Sequence, residues 1–315
     1  MCTAIAYRTT GSYFGRNLDL DRGYGERVVI TPRNFEFKMR CSPDICQHYA
    51  MIGMATVIDG YPLYFEATNE KGLSMAGLNF PKNASYAHCS EKKSNIAPFE
   101  LIPKILGECE TTDSAADLIS RINIAHINFS DSLPLSPLHW MISDKEKSIV
   151  LECTKDGTKI YDNPFEVLTN NPTFDYHVMY MNNYMGLHEG FMSNNLQENQ
   201  SLINYSLGMG AIGLPGDFSS SSRFVKSVFV KEKSKCNGNE KDSVNQFFHI
   251  LQAVAMPKGC VLALNGEYEY TRYSSCCNTD KQIYYFTTYD NMSIRSVNMH
   301  SIDINDSKLM YYSID

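Results

Sequence analysis

Met1-Cys2-Thr3-Ala4-Ile5-Ala6-Tyr7-Arg8 opens the chain, and Tyr13-Phe14-Gly15-Arg16-Asn17-Leu18-Asp19-Leu20 follows across Thr9-Thr10-Gly11-Ser12. Two β-prone runs around a turn-forming segment predict an antiparallel hairpin, residues 2–8 against 13–20. Working outward, strand-like runs lie at 28–31, 50–56 and 73–78. Helices are predicted near 99–109 and 114–122; in the second, Ala115, Leu118, Ile119 and Ile122 recur at helical spacing. Strands resume at 138–143, 148–153, 158–161 and 166–169. Helices return at 223–233 and 244–254, the latter opening on a capping pattern, Ser243-Val244-Asn245-Gln246. Strands at 283–288, 294–298 and 309–314 close the chain. The order is strands, helices, strands, helices, strands. That is an α+β layered protein with mainly antiparallel sheets, not a doubly wound βαβ fold. No repeat, low-complexity tract or linker divides residues 1–315, which read as one domain.

At 315 residues, 43% hydrophobic and 20% charged, the composition excludes collagen-like, coiled-coil and disordered classes. Lys plus Arg is 28 and Asp plus Glu 35, a net charge of −7, which argues against nucleic acid or an anionic membrane surface as partner. No stretch approaches the roughly 18 apolar residues of a membrane span. The N-terminus lacks a basic start followed by an apolar core, so a cytoplasmic location with reduced thiols is expected. The ten cysteines stand at 2, 41, 46, 89, 109, 153, 236, 260, 276 and 277. With no C-x-x-C and no histidines clustered near them, a structural zinc site is not expected. Most are expected to be buried small hydrophobes.

Two motifs are dismissed. Gly208-Met209-Gly210-Ala211-Ile212-Gly213 matches the dinucleotide fingerprint by letter. It runs into Leu214-Pro215-Gly216-Asp217, where no helix can begin, and reads as a Gly-rich loop. Asp19-Leu20-Asp21 lacks further carboxylates at loop spacing and is no EF-hand-type site. One buried and one solvated acid is expected there.

Cys2 carries the chemistry. Its small side chain makes Met1 removable, which leaves a thiol and a free α-amino group on one residue. An amine with a pKa of about 7.7–8.0 can take the thiol proton and later return one to a leaving amine. In the predicted hairpin, Arg16 or Asp19 can face Cys2 across the strand pair. A guanidinium there favours the thiolate, and a carboxylate anchors the ammonium form of the amine.

Met1-Cys2-Thr3-Ala4-Ile5-Ala6-Tyr7 with Phe14-Gly15-Arg16-Asn17-Leu18-Asp19-Leu20 resembles the choloylglycine hydrolase family, whose members include bile salt hydrolases and penicillin V acylases. So do Asn69-Glu70-Lys71-Gly72, Ala76-Gly77-Leu78-Asn79-Phe80-Pro81, Leu138-His139-Trp140-Met141-Ile142-Ser143, the run from Leu168 through Asn170 to Asp175, and the run from Gly213 to Phe224. Tyr273-Ser274-Ser275-Cys276 and the run from Ile283 to Tyr289 complete the match, in order, over nearly the whole chain. The resemblance implies a four-layer αββα N-terminal-nucleophile hydrolase sandwich with two antiparallel sheets. It implies amide hydrolysis through a thioester on Cys2, with no metal or organic cofactor. Arg16 and Asp19 match the charged pair beside the nucleophile. Asn79 matches the backbone donor, and Asn170 the side-chain donor, of an oxyanion hole; Arg223 matches a second active-site arginine. A homotetramer is the expected assembly.

Asn79, where the penicillin V acylase branch often carries Tyr, resembles the bile salt hydrolase branch. Conjugated bile salts are therefore the expected substrate, and penicillin V or another N-acyl amide, such as an acyl homoserine lactone, the alternative. Leu18, Ile58, Phe65 and Leu133 are the expected substrate-binding residues, in or beside loops read at 57–66 and 128–137. A rival class is Cys–His catalysis through His139 or His177, though neither has an adjacent orienting partner in sequence. Another is a non-catalytic binding protein that keeps the fold.

Overall fold

The computed structural model describes residues 1–196 and 201–314. The opening hairpin forms as β1 (Cys2–Arg8) and β2 (Ser12–Leu20), in a register running from Cys2↔Leu18 to Arg8↔Ser12. Next come β3 (Arg27–Thr31), β4 (Met51–Ile58), β5 (Tyr61–Asn69), β6 (Ser74–Asn79) and the short β7 (Ser94–Ile96). Helices α1 (Leu101–Glu108) and α2 (Thr112–Arg121) follow, then β8 (Ile122–Ile124), β9 (Leu138–Ser143), β10 (Ser148–Thr154), β11 (Gly157–Asp162) and β12 (Val167–Leu168). Helices α3 (Phe174–Met181), α4 (Ser220–Lys233) and α5 (Glu240–Gln252) precede β13 (Val261–Leu262), β14 (Tyr268–Asn278), β15 (Ile283–Thr288), β16 (Arg295–Asn298) and β17 (Met310–Ser313).

The strands build two antiparallel sheets. The first runs β12-β1-β2-β14-β15-β16, with β13 on β14; the second runs β11-β10-β9-β6-β5-β4-β3-β17. Helices α4 and α5 pack on the outer face of the first sheet and α1 on that of the second, while β1 and β2 meet β6 between the sheets. The result is the expected αββα layering. One apolar cluster joins the inter-sheet space to the α4–α5 layer through Ala4, Leu18, Leu78, Phe224 and Phe247. Another lies under α1 and α2, with Met75, Ile105, Ile119 and Trp140. Full burial of each such side chain contributes about 1.5–3 kcal/mol against leaving it in water.

Several sequence expectations are corrected. Residues 57–66 are not a loop but the β4–β5 hairpin. Its turn is Asp59-Gly60, both left-handed (φ 51° and 78°), the two-residue geometry that follows the twist of paired strands. Helix α5 begins at Glu240 and is capped by Asn239, which accepts from the Asp242 amide, so Ser243 lies inside the helix. Five of the ten cysteines are buried (2, 109, 153, 276 and 277); Cys41, Cys46, Cys89 and Cys260 are exposed, against the expectation of mostly buried thiols. Met209–Ala211 forms a single 3₁₀ turn, and the next helix begins only at Ser220, so no helix starts in the Gly-rich stretch. Asp19 is buried and Asp21 half-buried.

Gly15 fixes how closely β2 approaches β14. A Cβ there would lie 2.0 Å from the Ser275 carbonyl oxygen, a backbone atom with no room to yield. Gly15→Ala is expected to force the two strands apart and cost about 1–3 kcal/mol of stability. The measurement is the urea unfolding midpoint, and an unchanged midpoint refutes it.

Candidate active site

Cys2 begins the first strand with its side chain 2% exposed and Leu18 directly opposite it. Neither Arg16 nor Asp19 is its cross-strand neighbour: Arg16 pairs with Ala4, and alternation along β2 turns Asp19 to the opposite face. Arg16 shares the face of Cys2 and reaches the second sheet, where Nη1 donates to the Gly77 carbonyl at 2.6 Å and the Phe65 carbonyl at 3.1 Å. Asp19 takes the face toward α4 and α5. Its Oδ1 accepts from the Thr271 hydroxyl at 2.6 Å, while Oδ2 is buried with no partner among the described residues.

Asn170 is brought in by register. β12 pairs antiparallel with β1 through Ala4↔Leu168, so two residues further on Asn170 comes level with Cys2. There its Oδ1 accepts from the Cys2 backbone N–H at 2.8 Å and from Arg223 Nη2 at 2.7 Å, while Nδ2 donates to the Asn79 carbonyl at 2.7 Å. Arg223 lies in the first turn of α4, whose Ser219 cap accepts from the Ser222 amide. Its Nε donates to the Phe218 carbonyl, and Nη1 to the Cys2 carbonyl and to Thr3 Oγ1. Asn79 ends β6. Since Phe80 N–H bonds Pro137 on the β9 side, strand alternation turns the Asn79 N–H and C=O the other way, toward Asn170. The six residues matched by resemblance thus converge. Cys2, Asn79, Asn170 and Arg223 share one chain of hydrogen bonds, and Arg16 and Asp19 stand on either face of the adjoining strand.

The charges are wholly buried. Burial pulls the Arg16 guanidinium down, but Cys2, Tyr273, Glu66 and Asp19 around it outweigh this and hold it above its usual range. Burial lowers Arg223 in spite of Asp19, Cys2 and Glu269. It raises Asp19 more than Arg223, the terminal amine, Thr271 and Arg16 lower it. The Met1 amine donates to the Asp19 carbonyl at 2.6 Å and to Glu269 Oε2 at 2.8 Å.

The two histidines do not touch Cys2. His139 stacks on Phe80, with Nδ1 on Glu152 at 3.0 Å and Nε2 on the Thr169 carbonyl at 3.0 Å; the orienting partner that no neighbouring residue supplies comes from β10. His177 Nε2–H donates to the Asn170 carbonyl at 2.9 Å, and its ring stacks on Phe224. The four expected substrate contacts divide. Leu18 and Phe65 join the apolar cluster that holds Cys2, whereas Ile58 and Leu133 pack against the cluster under α1 and α2. Glu66, Thr271 and Ser220, whose Oγ accepts the Asn170 N–H, were not singled out in sequence. Each acts on a partner 50 or more residues away, so no local spacing marks it.

Residues 2–312 match the family described as linear amide C–N hydrolases, choloylglycine hydrolase family. The chain is 48% identical over 314 residues to the bile salt hydrolase/transferase of Lactiplantibacillus plantarum, covering 100% of this chain and 97% of that protein. A crystal structure of a conjugated bile acid hydrolase variant from Clostridium perfringens superposes with a TM-score of 0.92 at 36% identity, covering 100% of this chain and 97% of that one. Penicillin V acylase from Agrobacterium tumefaciens shares the fold, with a TM-score of 0.78 at 18% identity over 99% of this chain and 91% of that one.

His177 gives the site a pH dependence. Burial, ahead of every other influence, pushes it down to about 4 from 6.5, so the folded protein holds it neutral. The unfolded chain binds the proton first as pH falls, so stability is full above about pH 6.5 and declines toward pH 4. Between pH 7 and pH 5 this one group is expected to remove about 2 kcal/mol. Urea unfolding of the parent and of His177→Gln at both pH values checks this; an equal decline in both proteins excludes the assignment.

Proposed function

The chain belongs to the choloylglycine hydrolase family of linear amide C–N hydrolases, and from that premise we propose that it cleaves the amide joining a bile acid to glycine or taurine, with Cys2 as nucleophile. The observation that carries the substrate is the 48% identity, end to end, with a bile salt hydrolase/transferase. The chemistry is supported by the Asn170 amide, which spans Cys2, Arg223 and the end of β6.

Removal of Met1 exposes the Cys2 α-amine, which keeps the place of the present N–H on Asn170 Oδ1. Asp19 Oδ2 is the carboxylate oxygen available to its ammonium form. The amine takes the thiol proton, and Sγ attacks the substrate carbonyl carbon. The tetrahedral oxyanion is held by the Asn79 N–H and the second N–H of Asn170 Nδ2. The C–N bond then breaks, the α-ammonium protonates the departing glycine or taurine, and the bile acyl group remains as a thioester on Cys2. Water adds to the thioester, the C–S bond breaks, and free bile acid leaves with the thiol restored. An amine in place of water gives acyl transfer, the second half of the relative's name. Arg16 and Arg223 supply the positive field for thiolate and oxyanion, and the apolar Leu18 and Phe65 suit a rigid steroid body.

Residues 1–315 act as one unit on this reading, in a cytoplasmic homotetramer. Exposed apolar side chains such as Met185, Leu202 and Leu207 supply surface that such an assembly covers, and light scattering of the purified protein at four chain masses is the expected result.

Purified protein lacking Met1, verified by intact mass, is expected to release glycine from glycocholate or taurine from taurocholate. It is expected to act faster on these than on penicillin V or an acyl homoserine lactone. Cys2→Ser is expected to abolish turnover, and Asn170→Ala to lower kcat by about 10²–10³. Full turnover by Cys2→Ser removes the mechanism, and faster cleavage of penicillin V removes the substrate assignment.

A further inference from the structure

We propose that Glu66 is a positioning residue for the hydrolysis: its carboxylate fixes the Arg16 guanidinium against the strand that ends in Asn79. This rests on the reading of the protein as an amide hydrolase acting through Cys2. Glu66 is 2% exposed and Arg16 0%, between the two sheets, with Glu66 Oε2 3.8 Å from Arg16 Nη1. Three hydroxyls donate to the carboxylate: Tyr273 at 2.7 Å on Oε2, and Tyr284 at 2.5 Å and Ser275 at 3.0 Å on Oε1. Burial raises the Glu66 carboxyl, and Arg16 together with these three hydroxyls acts against that rise. Ser275 Oγ accepts in turn from the Arg16 backbone N–H at 3.2 Å, so the network holds both the side chain and the main chain of Arg16.

Where Arg16 is held decides what it grips. Its Nη1 donates to the carbonyls of Phe65, next to Glu66, and of Gly77, two residues before Asn79. The β4–β5 ladder slips at this point: Met54 pairs with Glu66 and Ala55 with Tyr64, which leaves Phe65 as the extra residue of a β-bulge. The bulge lets Glu66 face the first sheet while the Phe65 carbonyl stays within reach of the guanidinium. Nη2 of Arg16 is buried with no partner among the described residues, leaving one donor edge uncommitted. Besides Glu66, the carboxylate that acts on Arg16 is Asp19, on the opposite face of β2. Removing Glu66 therefore leaves the buried guanidinium without a carboxylate on its own side. That guanidinium is the clamp on the strand that sets the Asn79 N–H.

The test is a double-mutant cycle on glycocholate with Met1-free protein. Glu66→Gln, which keeps side-chain shape, is expected to lower kcat about 10–100-fold with KM within about twofold, as a misplaced donor does. In an Arg16→Leu background the same change is expected to cost less than about threefold, because Glu66 acts through Arg16. Losses that multiply in the double variant, or a Glu66→Gln kcat within about twofold of the parent, overturn the proposal. Tyr284→Phe removes one donor without emptying the core and is expected to lower kcat about threefold. It decides the matter where Glu66→Gln fails to fold, and an unchanged kcat overturns the proposal. A parent protein that releases no glycine overturns the substrate reading instead. The cycle is then read from the rate of Cys2 alkylation by iodoacetamide, which needs no substrate. A change of about threefold or more in Glu66→Gln that vanishes in the Arg16→Leu background supports positioning. A rate equal to the parent's overturns it.

Discussion

A carboxamide offers two acceptor positions on its oxygen and two N–H donors, and the Asn170 side chain commits three of these four. Cys2 N–H and Arg223 Nη2 occupy Oδ1, and the Asn79 carbonyl takes one hydrogen of Nδ2. Both groups facing Oδ1 are obligatory donors, so the amide can sit only one way round. The fourth position, an N–H, is left beside the end of β6. This one side chain ties β1 of the first sheet, β6 of the second and α4 of the outer layer together at Cys2. Its backbone is held as firmly, by Ser220 Oγ at the amide and by His177 at the carbonyl.

Two guanidiniums inside a protein are costly unless nearly every donor is met. Here they are met largely by main-chain carbonyls: Phe65, Gly77 and Asn17 for Arg16, Phe218 and Cys2 for Arg223. The arginines consequently set backbone positions as well as potential. β-Bulges lie beside the site on both sheets, at Phe65 in β5 and at Arg272 in β14. The second bulge sets Thr271 opposite Asp19, one strand from Cys2, where its hydroxyl donates to the carboxylate. Local breaks in the ladder thus aim polar groups inward without opening the apolar core around them.

What could be read from sequence follows from how local the cause is. The β1–β2 hairpin was legible because its turn residues lie between its strands, and its ends agree within one residue. The β4–β5 hairpin carries an equally local signal, Asp59-Gly60, inside the stretch 57–66 that reads as a loop from sequence. Strand β14 hid because its run from Tyr268 to Asn278 mixes polar and apolar residues; it is a central strand whose hydroxyls bond Asp19, Asn17 and Glu66. The predicted hairpin brings Arg16 and Asp19 near Cys2, but the convergence of Asn79, Asn170 and Arg223 on it came only from family resemblance. Nothing in residue spacing brings position 170 beside position 2; the β1–β12 register does. Cys2 pairs with Leu18, two residues from Arg16 and one from Asp19, so Arg16 keeps the face of Cys2 while Asp19 takes the other.

The shortness of β12 is as consequential as its register. Were it longer, its backbone would take the Cys2 N–H into the ladder, as the Glu166 carbonyl takes that of Ala6 further along β1. Because β12 stops at Leu168, the Cys2 nitrogen bonds a side chain in place of a sheet neighbour, while on its other flank the Asp19 N–H takes the Met1 carbonyl. A nitrogen locked between two strands could not rotate or exchange protons with a thiol on its own residue. One held by an amide oxygen at a strand end keeps a fixed place and a free lone pair once the preceding peptide bond is gone. On the proposed mechanism, the fold can therefore bury its first strand deeply and still present that strand's terminus as a base.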